Sequence, residues 1–390
     1  MRATCPVCSS SELAQLDEGF DVPILMNRLY PSCDEARAAP RGPLAFLGCR
    51  ACGFVWNDAF DERRIVYDAN YENDQTHSPA FSDHLHARAR DVIAAVGEGA
   101  PIAFLEVGCG QGRFIVEVAQ LAGDRLQSAE GFDPAWRGAD GEGPVGSRIH
   151  TCYLGPETVG RLQRAPNVVA TRHTIEHIPD PVAFLRTIRD ALGPRSTARI
   201  FVETPCVEWI LQHEAMQDFF YEHCSLFSAQ SLAQALHRAG FVSPRVAHVF
   251  GGQYLWASAE TSGIDDYADH AQGGRLDRMQ DARSAFVTRW REDLARRVTK
   301  GPIALWGAGA KGVNFALLID PDATSIDHVI DINPAKQGLY LAGSGLPVVS
   351  PAQSALRNAA AIYVMNPNYF EEIKLIAARE NMGAELVLIN

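Results

Sequence analysis

Short apolar runs alternate with amphipathic segments through the middle of the chain. Residues 81–97 repeat apolar side chains at the helical period, and the apolar run 102–107 leads through a glycine turn into the periodic segment 113–122. Strand-like and helix-like segments then follow one another from residue 126 to residue 241. Such alternation is typical of a parallel sheet covered by helices on both faces. We therefore predict an α/β fold with a doubly wound sheet.

The pattern changes after residue 250 and then resumes. Residues 251–260 predict a strand, residues 260–274 are polar and turn-rich, and residues 275–298 predict a long charged helix with an apolar stripe. From residue 301 the chain again predicts a strand, a glycine turn and a helix. This second α/β block indicates a separate C-terminal domain.

Composition and charge narrow the classes of function. The chain has 35 Lys and Arg against 47 Asp and Glu, a net charge of −12, which argues against a nucleic-acid-binding surface. No apolar run approaches the ~18 residues of a membrane span, and the N-terminus lacks the apolar core of a signal peptide. We expect a cytoplasmic protein that acts on a small molecule without nucleic acid or membrane partners; the oligomeric state stays open.

Four cysteines form two CxxC turns about 40 residues apart in a segment with few apolar residues. The number of cysteines, nine, is odd, and a chain of 390 residues builds its own core, so a disulfide framework is not expected. Two CxxC turns together complete a tetrahedral thiolate site suited to structural Zn²⁺. The predicted metal ligands are Cys5, Cys8, Cys49 and Cys52.

A glycine-rich turn follows the strand 102–107. Its glycines let the backbone approach a ligand closely, and an acid at the end of the next strand, Asp133, can accept hydrogen bonds from ribose hydroxyls. The pattern, with Glu106 two residues before the first glycine, resembles that of class I methyltransferases, which bind S-adenosylmethionine. The candidate cofactor residues here are Glu106, Gly108, Gly110, Gly112 and Asp133.

The segment 171–179 (TRHTIEHIP) follows the predicted fourth strand of this sheet. It resembles the segment that lines the cofactor and substrate cleft in the same fold, which adds Arg172 and His173 to the cofactor residues. Its H-x-x-E-H spacing is also found in metal sites, but Pro179 stops a helix from running through the motif. We do not expect a metal there.

The loop after the predicted fifth strand carries Tyr221, Glu222 and His223, followed by Phe227 and Ser228. With the C-terminal segments 307–312 (GAGAKG) and 331–338 (DINPAKQG), the order of motifs resembles that of the three-domain sugar C-methyltransferases of deoxysugar biosynthesis, the tetronitrose and mycarose type. The resemblance implies a zinc-binding domain at 1–65, an S-adenosylmethionine-dependent methyltransferase domain at 66–250 and a Rossmann-like substrate-binding domain at 251–390.

The resemblance also implies roles for individual residues. His223 matches the general base that removes a proton next to a keto group of a nucleotide-linked sugar, so that the resulting carbon nucleophile takes the methyl group. Glu222, Tyr221 and His177 are expected around it, and Tyr71 and Ser78 over the site. The family has a tyrosine three residues before the histidine, where this chain has Phe220. The accepting atom therefore stays open, with O- or N-methylation as the alternative.

The C-terminal glycine turn admits a second interpretation. Asp331 lies 24 positions after Gly307, close to the spacing of a dinucleotide site. An NAD-dependent oxidoreductase or a nucleotide-binding module is therefore the rival hypothesis. The family resemblance instead implies that this domain holds the substrate, with Lys311 and the amides of the turn in contact with an anion.

Overall fold

The computed structural model describes residues 2–67, 71–193, 196–268, 279–355 and 358–389. Among its helices, none combines the length and the apolar composition that a membrane crossing requires. The described residues form three main sheets, which follow one another along the chain with one exchange of a strand between the first two.

The N-terminal part is built on an antiparallel sheet that the sequence pattern did not predict. Its strands and single helix are β1 (Leu13–Pro23), β2 (Leu29–Tyr30), α1 (Cys33–Arg37), β3 (Arg41–Cys49) and β4 (Val55–Asn57). The register of β1 on β3 shifts twice, between Gln15 and Asp17 and between Glu18 and Phe20. Each shift breaks the alternation of apolar and polar positions by which a strand is recognised in a sequence.

The central part contains the predicted helices and strands with small changes at their ends, and four elements that the sequence pattern did not predict, at residues 148–150, 207–212, 225–226 and 242–249. In chain order they are α2 (Pro79–Ala95), β5 (Ile102–Val107), α3 (Arg113–Ala122), β6 (Leu126–Phe132), β7 (Arg148–His150), β8 (Val168–Arg172), α4 (Pro181–Leu192), β9 (Arg199–Pro205), α5 (Val207–Gln212), β10 (Ser225–Leu226), α6 (Ala229–Arg238), β11 (Val242–Val249) and β12 (Tyr254–Glu260). Capping decides several of the helix starts: Ser78, Asp180 and Ser228 each accept a backbone amide of the first turn.

Seven of these strands form one sheet in the order β11-β12-β9-β8-β5-β6-β7. β12 is antiparallel to both of its neighbours, and the strands from β9 to β7 are parallel. Every residue of β5 is buried, as expected for a central strand covered on both faces. The predicted doubly wound α/β sheet is confirmed, and its order reverses between β5 and β8, where such sheets bind ligands.

The strand β10 leaves this sheet and joins the N-terminal one. It pairs with β4, with Ser225 opposite Trp56 and Leu226 opposite Val55, so the first sheet has the order β1-β3-β4-β10. The chain segment that begins directly after His223 is therefore part of the N-terminal sheet. This exchange fixes the loop before it against both parts of the molecule.

The C-terminal part repeats the α/β pattern on a smaller scale. Its elements are α7 (Met279–Val298), β13 (Ile303–Trp306), α8 (Ala310–Ile319), β14 (Ile326–Ile330), β15 (Tyr340–Leu341), β16 (Val348–Val349), α9 (Pro351–Ala355), β17 (Ala361–Val364), α10 (Phe370–Arg379) and β18 (Glu385–Leu388). Five parallel strands have the order β16-β14-β13-β17-β18, while β15 pairs with β2 of the N-terminal part. The predicted helix 275–298 is present from residue 279, and its residues 275–278 lie outside the described residues.

Candidate active site and thiol cluster

The glycine turn between β5 and α3 has the backbone that the sequence pattern requires. Gly108, Gly110 and Gly112 have φ angles of 75°, 52° and 72°, in the left-handed region that favours glycine. Asp133, directly after β6, accepts hydrogen bonds from the amide of Gly110 and the amide of Ala135, both at 2.7 Å. The predicted cofactor residues of the turn and of the second strand are thus brought together at the carboxyl edge of the sheet.

Two buried charged groups beside this turn have unused hydrogen-bonding atoms. Burial raises the pKa of Glu106 to about 8, although the guanidinium of Arg172 acts in the opposite direction. Oε2 of Glu106 and Nη2 of Arg172 have no hydrogen-bond partner among the described residues. Buried polar atoms are normally satisfied. A ligand with both donors and acceptors therefore suits this crevice.

A buried carboxylate on β9, which the sequence analysis missed, holds Arg172 in place. Glu203 accepts a hydrogen bond from Arg172 Nε at 2.7 Å and pairs with Nε2 of His84. Burial would raise the pKa of Glu203, but Arg172 and His84 outweigh it and hold the pKa below its usual range. The signal was available, because Glu203 is a charged residue inside the otherwise apolar run 200–205.

The two predicted active-site histidines meet at the end of the sheet. His177 ends a short 3₁₀ turn, Ile175–His177, after β8, and His223 lies in the loop after β9. Their rings meet edge to face with centroids 4.9 Å apart, and the ring of Phe220 lies 4.8 Å from that of His223. Burial lowers the pKa of His223 to about 3, with His177 adding to the effect. His223 is therefore an uncharged imidazole at neutral pH.

Glu176 lies beside this pair and completes a polar cluster. The donor atoms of Glu176, His177 and His223 all lie within 4.8 Å of one another. Glu176 Oε2 accepts from Thr204 Oγ1 at 3.1 Å, its Oε1 lies 3.4 Å from Nδ1 of His173, and Nδ1 of His177 contacts a tyrosine hydroxyl. Oε2 of Glu176 and Nδ1 of His177 therefore have protein partners, whereas Oε1 of Glu176 has no hydrogen-bond partner among the described residues. His173, with a φ of 48°, has the strained backbone often found at functional sites.

Glu222 and Tyr71 form the wall behind His223. Glu222 is buried, and its carboxylate accepts from the Tyr71 hydroxyl at 2.8 Å and from the Met26 amide at 3.0 Å. Burial raises the pKa of Glu222. Ser78 donates its hydroxyl to Glu372 of α10 at 2.6 Å while it caps α2. Tyr71 and Ser78 both line the same cavity as His223, as a roof over the site requires.

The expected role of Tyr221 in the active site is wrong. Its ring is fully buried against Gly42 and Phe60 of the N-terminal part, and its hydroxyl accepts from the Asp61 amide at 2.9 Å. Its neighbour Phe220 lines the cavity instead, while Tyr221 anchors the loop to the N-terminal part.

One cavity of about 270 Å³ joins the three parts of the molecule. Loops at the edge of the central sheet contribute His177, Phe220 and His223, and the N-terminal part contributes Asn27. The C-terminal part contributes Trp306, Gly309, Lys311 and Lys336, and Tyr71, Ser78 and Tyr254 are among the other residues of the wall. The C-terminal glycine turn therefore faces the histidine pair across this cavity, whereas the turn between β5 and α3 lies at the separate crevice beside Asp133.

Cationic groups and a helix start face this cavity from the C-terminal part. Lys311 Nζ lies 2.7 Å from Oδ2 of Asp218, and Lys336 Nζ lies 3.7 Å from Oδ2 of Asp331. The side chain of Asn27 accepts the Ala310 amide at the start of α8. Sequence reasoning named Lys311 but missed Asn27 and Lys336, whose position depends on contacts between distant segments. Lys311, predicted as an anion contact, is partly neutralised by Asp218.

The four predicted metal ligands form a thiol cluster at one end of the N-terminal sheet. Sγ of Cys5 lies 3.7 Å from Sγ of Cys52, Sγ of Cys8 lies 3.4 Å from Sγ of Cys49, and all four sulfurs are within 4.8 Å of one another. All nine cysteines are free thiols. A tetrahedral zinc with bonds of ~2.3 Å separates its sulfurs by about 3.8 Å. The donor set fits zinc in number, type and spacing.

Comparison with known proteins assigns a family to each of the two larger parts. A model described as "Methyltransferase domain" matches residues 81–243, and one described as "C-methyltransferase C-terminal domain" matches residues 257–389. The chain is 25% identical to C-methyltransferase NovU of Streptomyces niveus, over 95% of this chain and 90% of that protein. The second match favours a domain shared with C-methyltransferases over an independent NAD-binding module.

Two solved methyltransferase structures each align with about half of this chain. A CurJ carbon methyltransferase is 13% identical with a TM-score of 0.36, over 48% of this chain and 56% of its own. The plantazolicin methyltransferase BpumL in complex with SAH is 13% identical with a TM-score of 0.35, over 47% of this chain and 86% of its own.

Proposed function

Because this chain belongs to the S-adenosylmethionine-dependent methyltransferases that carry a C-methyltransferase C-terminal domain, we propose that it methylates a carbon atom of a nucleotide-linked keto sugar. The observation that carries the proposal is the shared cavity. An uncharged His223 and the C-terminal glycine turn with its two lysines line the same space, so that a reacting carbon and an anionic group of one substrate fit it together.

We infer that His223 is the general base. A neutral imidazole can take a proton from the carbon next to the keto group, onto its ring nitrogen. The carboxylate of Glu176 favours the imidazolium as it forms, while His177 opposes it. Glu222 holds Tyr71 and the backbone of Met26 and so fixes the loop in which His223 lies.

The keto oxygen gains negative charge when the proton leaves. His177 lines the cavity beside His223, and we propose that it donates a hydrogen bond to that oxygen. Donors aimed at a developing oxyanion typically contribute 10²–10³-fold to the rate. Phe220 supplies no hydroxyl at the place where the resembled family has one, which increases the dependence on His177.

Glu106, Asp133 and Arg172, with the turn Gly108–Gly112, are proposed to hold the cofactor. The unpaired atoms of Glu106 and Arg172 suit the amino acid part of S-adenosylmethionine, whose ammonium and carboxylate are a donor and an acceptor. The Asp133 carboxylate keeps lone pairs for ribose hydroxyls beside the two amides that it accepts. When bound, the cofactor supplies an electrophilic methyl group. His173 lies between this crevice and the cavity, near Glu203 and Glu176.

We propose that the thiol cluster binds one structural zinc ion. Four thiolates leave no open position on a tetrahedral metal, so the ion takes no part in the reaction. Its expected effect is on stability, since structural zinc supplies ~10–16 kcal/mol in zinc-finger peptides. The cluster also contacts α6, because Ser228 donates to the Cys52 carbonyl and Arg238 to the Cys8 carbonyl, both at 3.0 Å.

A product assay tests the proposed function. The enzyme is incubated with S-adenosylmethionine and a panel of nucleotide-linked keto sugars, matched with the corresponding sugars in which the keto group is reduced to a hydroxyl. We expect a mass gain of one methyl group with a keto sugar and none with the reduced sugars. Methylation of the reduced sugars alone would point to a hydroxyl acceptor and contradict C-methylation.

A further inference from the structure

We propose that Tyr67 is a positioning residue: its hydroxyl donates a hydrogen bond to Nδ1 of His177 and thereby keeps the imidazole proton on Nε2, toward the substrate. The inference rests on the proposed function, in which His177 is a donor to the keto oxygen. Tyr67 received no role from the sequence. It is not among the residues that line the cavity, so it acts on the reaction through His177.

The geometry around Tyr67 is specific for such a contact. Its hydroxyl lies 3.1 Å from Nδ1 of His177, and the two rings meet at 89°. On its other side, Tyr67 packs edge to face on Tyr71 with ring centroids 4.9 Å apart. Tyr71 in turn donates to Glu222, the neighbour of His223. The two tyrosines together set the orientation of both segments that carry the active-site histidines.

The proton of this hydrogen bond belongs to Tyr67. Burial raises the pKa of its phenol well above the ordinary value, and the Glu222 carboxylate adds to the effect. The phenol therefore keeps its proton. Because Nδ1 of His177 is the one hydrogen-bond partner of this hydroxyl among the described residues, we infer that the hydroxyl donates and Nδ1 accepts. A neutral imidazole has one proton. With Nδ1 as the acceptor, that proton is on Nε2.

The remaining nitrogen of His177 is available to a ligand. Within the described part of the chain, Nε2 of His177 makes no hydrogen bond, and the residue lines the cavity. Two residues close to His223 cannot take the place of His177: Phe220 has no hydroxyl, and the Tyr221 hydroxyl contacts Asp61. The correct tautomer of His177 is then a condition for stabilising the oxyanion beside His223.

The test compares Tyr67→Phe with wild type in two measurements. Nitrogen-15 NMR of histidine-labelled protein reports the tautomer of His177, whose signals are assigned by their loss in His177→Gln. We expect the Nε2–H tautomer in wild type and a mixture of tautomers in Tyr67→Phe. In the assay, kcat should fall at least about tenfold while the KM for S-adenosylmethionine stays within about twofold. Tyr153→Phe, at a tyrosine that is 74% exposed, is the matched control and should change neither.

Each outcome bears on Tyr67 separately from the proposed function. A Tyr67→Phe enzyme with kcat within about threefold of wild type overturns the inference, and so does a loss of kcat with an unchanged tautomer. Should Tyr67→Phe not fold, a wild-type His177 with its proton on Nδ1 overturns it as well. A wild type that methylates no keto sugar defeats the proposed function, whereas the tautomer, measured without substrate, still decides the role of Tyr67.

Discussion

At the scale of single residues, burial and neighbouring charges set the pKa values of the acids in the site. The pKa values of three acids near the cofactor crevice shift in different directions because their neighbours differ: burial raises the pKa of Glu106 and of Asp133, while Arg172 and His84 lower that of Glu203. The sequence identifies Glu106 and Asp133 from their places beside a glycine turn. It does not identify Glu203 as the partner of Arg172, because a cross-strand pair of side chains appears only when β8 and β9 lie side by side.

The first prediction concerns the cofactor. Asp133→Asn keeps the shape of the side chain but replaces one acceptor oxygen by a donor. The lost hydrogen bonds should weaken S-adenosylmethionine binding by ~1–3 kcal/mol, a rise in Kd of about 5- to 150-fold. Calorimetric titration measures it, with the exposed Asp124→Asn as the matched control. An unchanged Kd would remove Asp133 from the cofactor site.

The second prediction concerns pH. A base must be unprotonated to act, and the pKa of His223 is lowered to about 3, so lowering the pH from 8 to 5 should not protonate it in the free enzyme. The acid limb of kcat/KM that belongs to His223 should therefore lie below pH 5, rather than near the pKa of ~6.5 of a free histidine. An acid limb near 6.5 that is absent from His223→Gln would contradict the burial of this ring.

At the scale of elements, the position of the catalytic loop depends on a strand exchange. β10 begins two residues after His223 and pairs with β4, which begins three residues after Cys52, the last residue of the second CxxC turn. The sequence predicted the α/β elements well, since their apolar periods are regular and their starts are capped. It could not predict β10 in the N-terminal sheet, because a strand of two residues has no pattern of its own and its partner is distant in sequence.

A third prediction follows for the metal. Cys49→Ser should lose the zinc and lower the melting temperature of the protein, and turnover should fall because β4 no longer holds β10 firmly. Metal analysis and calorimetry measure the first two effects. Cys152→Ser is the matched control, since Cys152 is a half-buried thiol outside the cluster and should leave the metal content unchanged. Less than about half an equivalent of zinc in fresh wild-type protein would refute the zinc site.

At the scale of the whole molecule, the site exists only where the three parts meet. Asn27 contacts α8, β2 pairs with β15, and Lys311 contacts Asp218 of the methyltransferase domain. Motifs in the sequence indicated the parts and their order, and the family resemblance indicated their joint use. Which residues face one another across the cavity could not be predicted, because those contacts depend on how complete surfaces pack. Phe220 and Tyr221 illustrate this, because a difference of one position along the chain determines which of the two side chains faces the cavity.

The central claim, carbon methylation with His223 as the base, is tested most directly by the fate of the substrate's α-hydrogen. In this experiment, a nucleotide-linked keto sugar that carries deuterium next to the keto group is incubated with S-adenosylmethionine and one of three enzymes. The enzymes are wild type, His223→Ala and the exposed control His248→Ala. Wild type and His248→Ala should release one deuterium into water for each methyl group transferred, and His223→Ala should do so about 10²–10⁴ times more slowly. A methylated product that retains its deuterium, or a His223→Ala rate within about threefold of wild type, would contradict the claim.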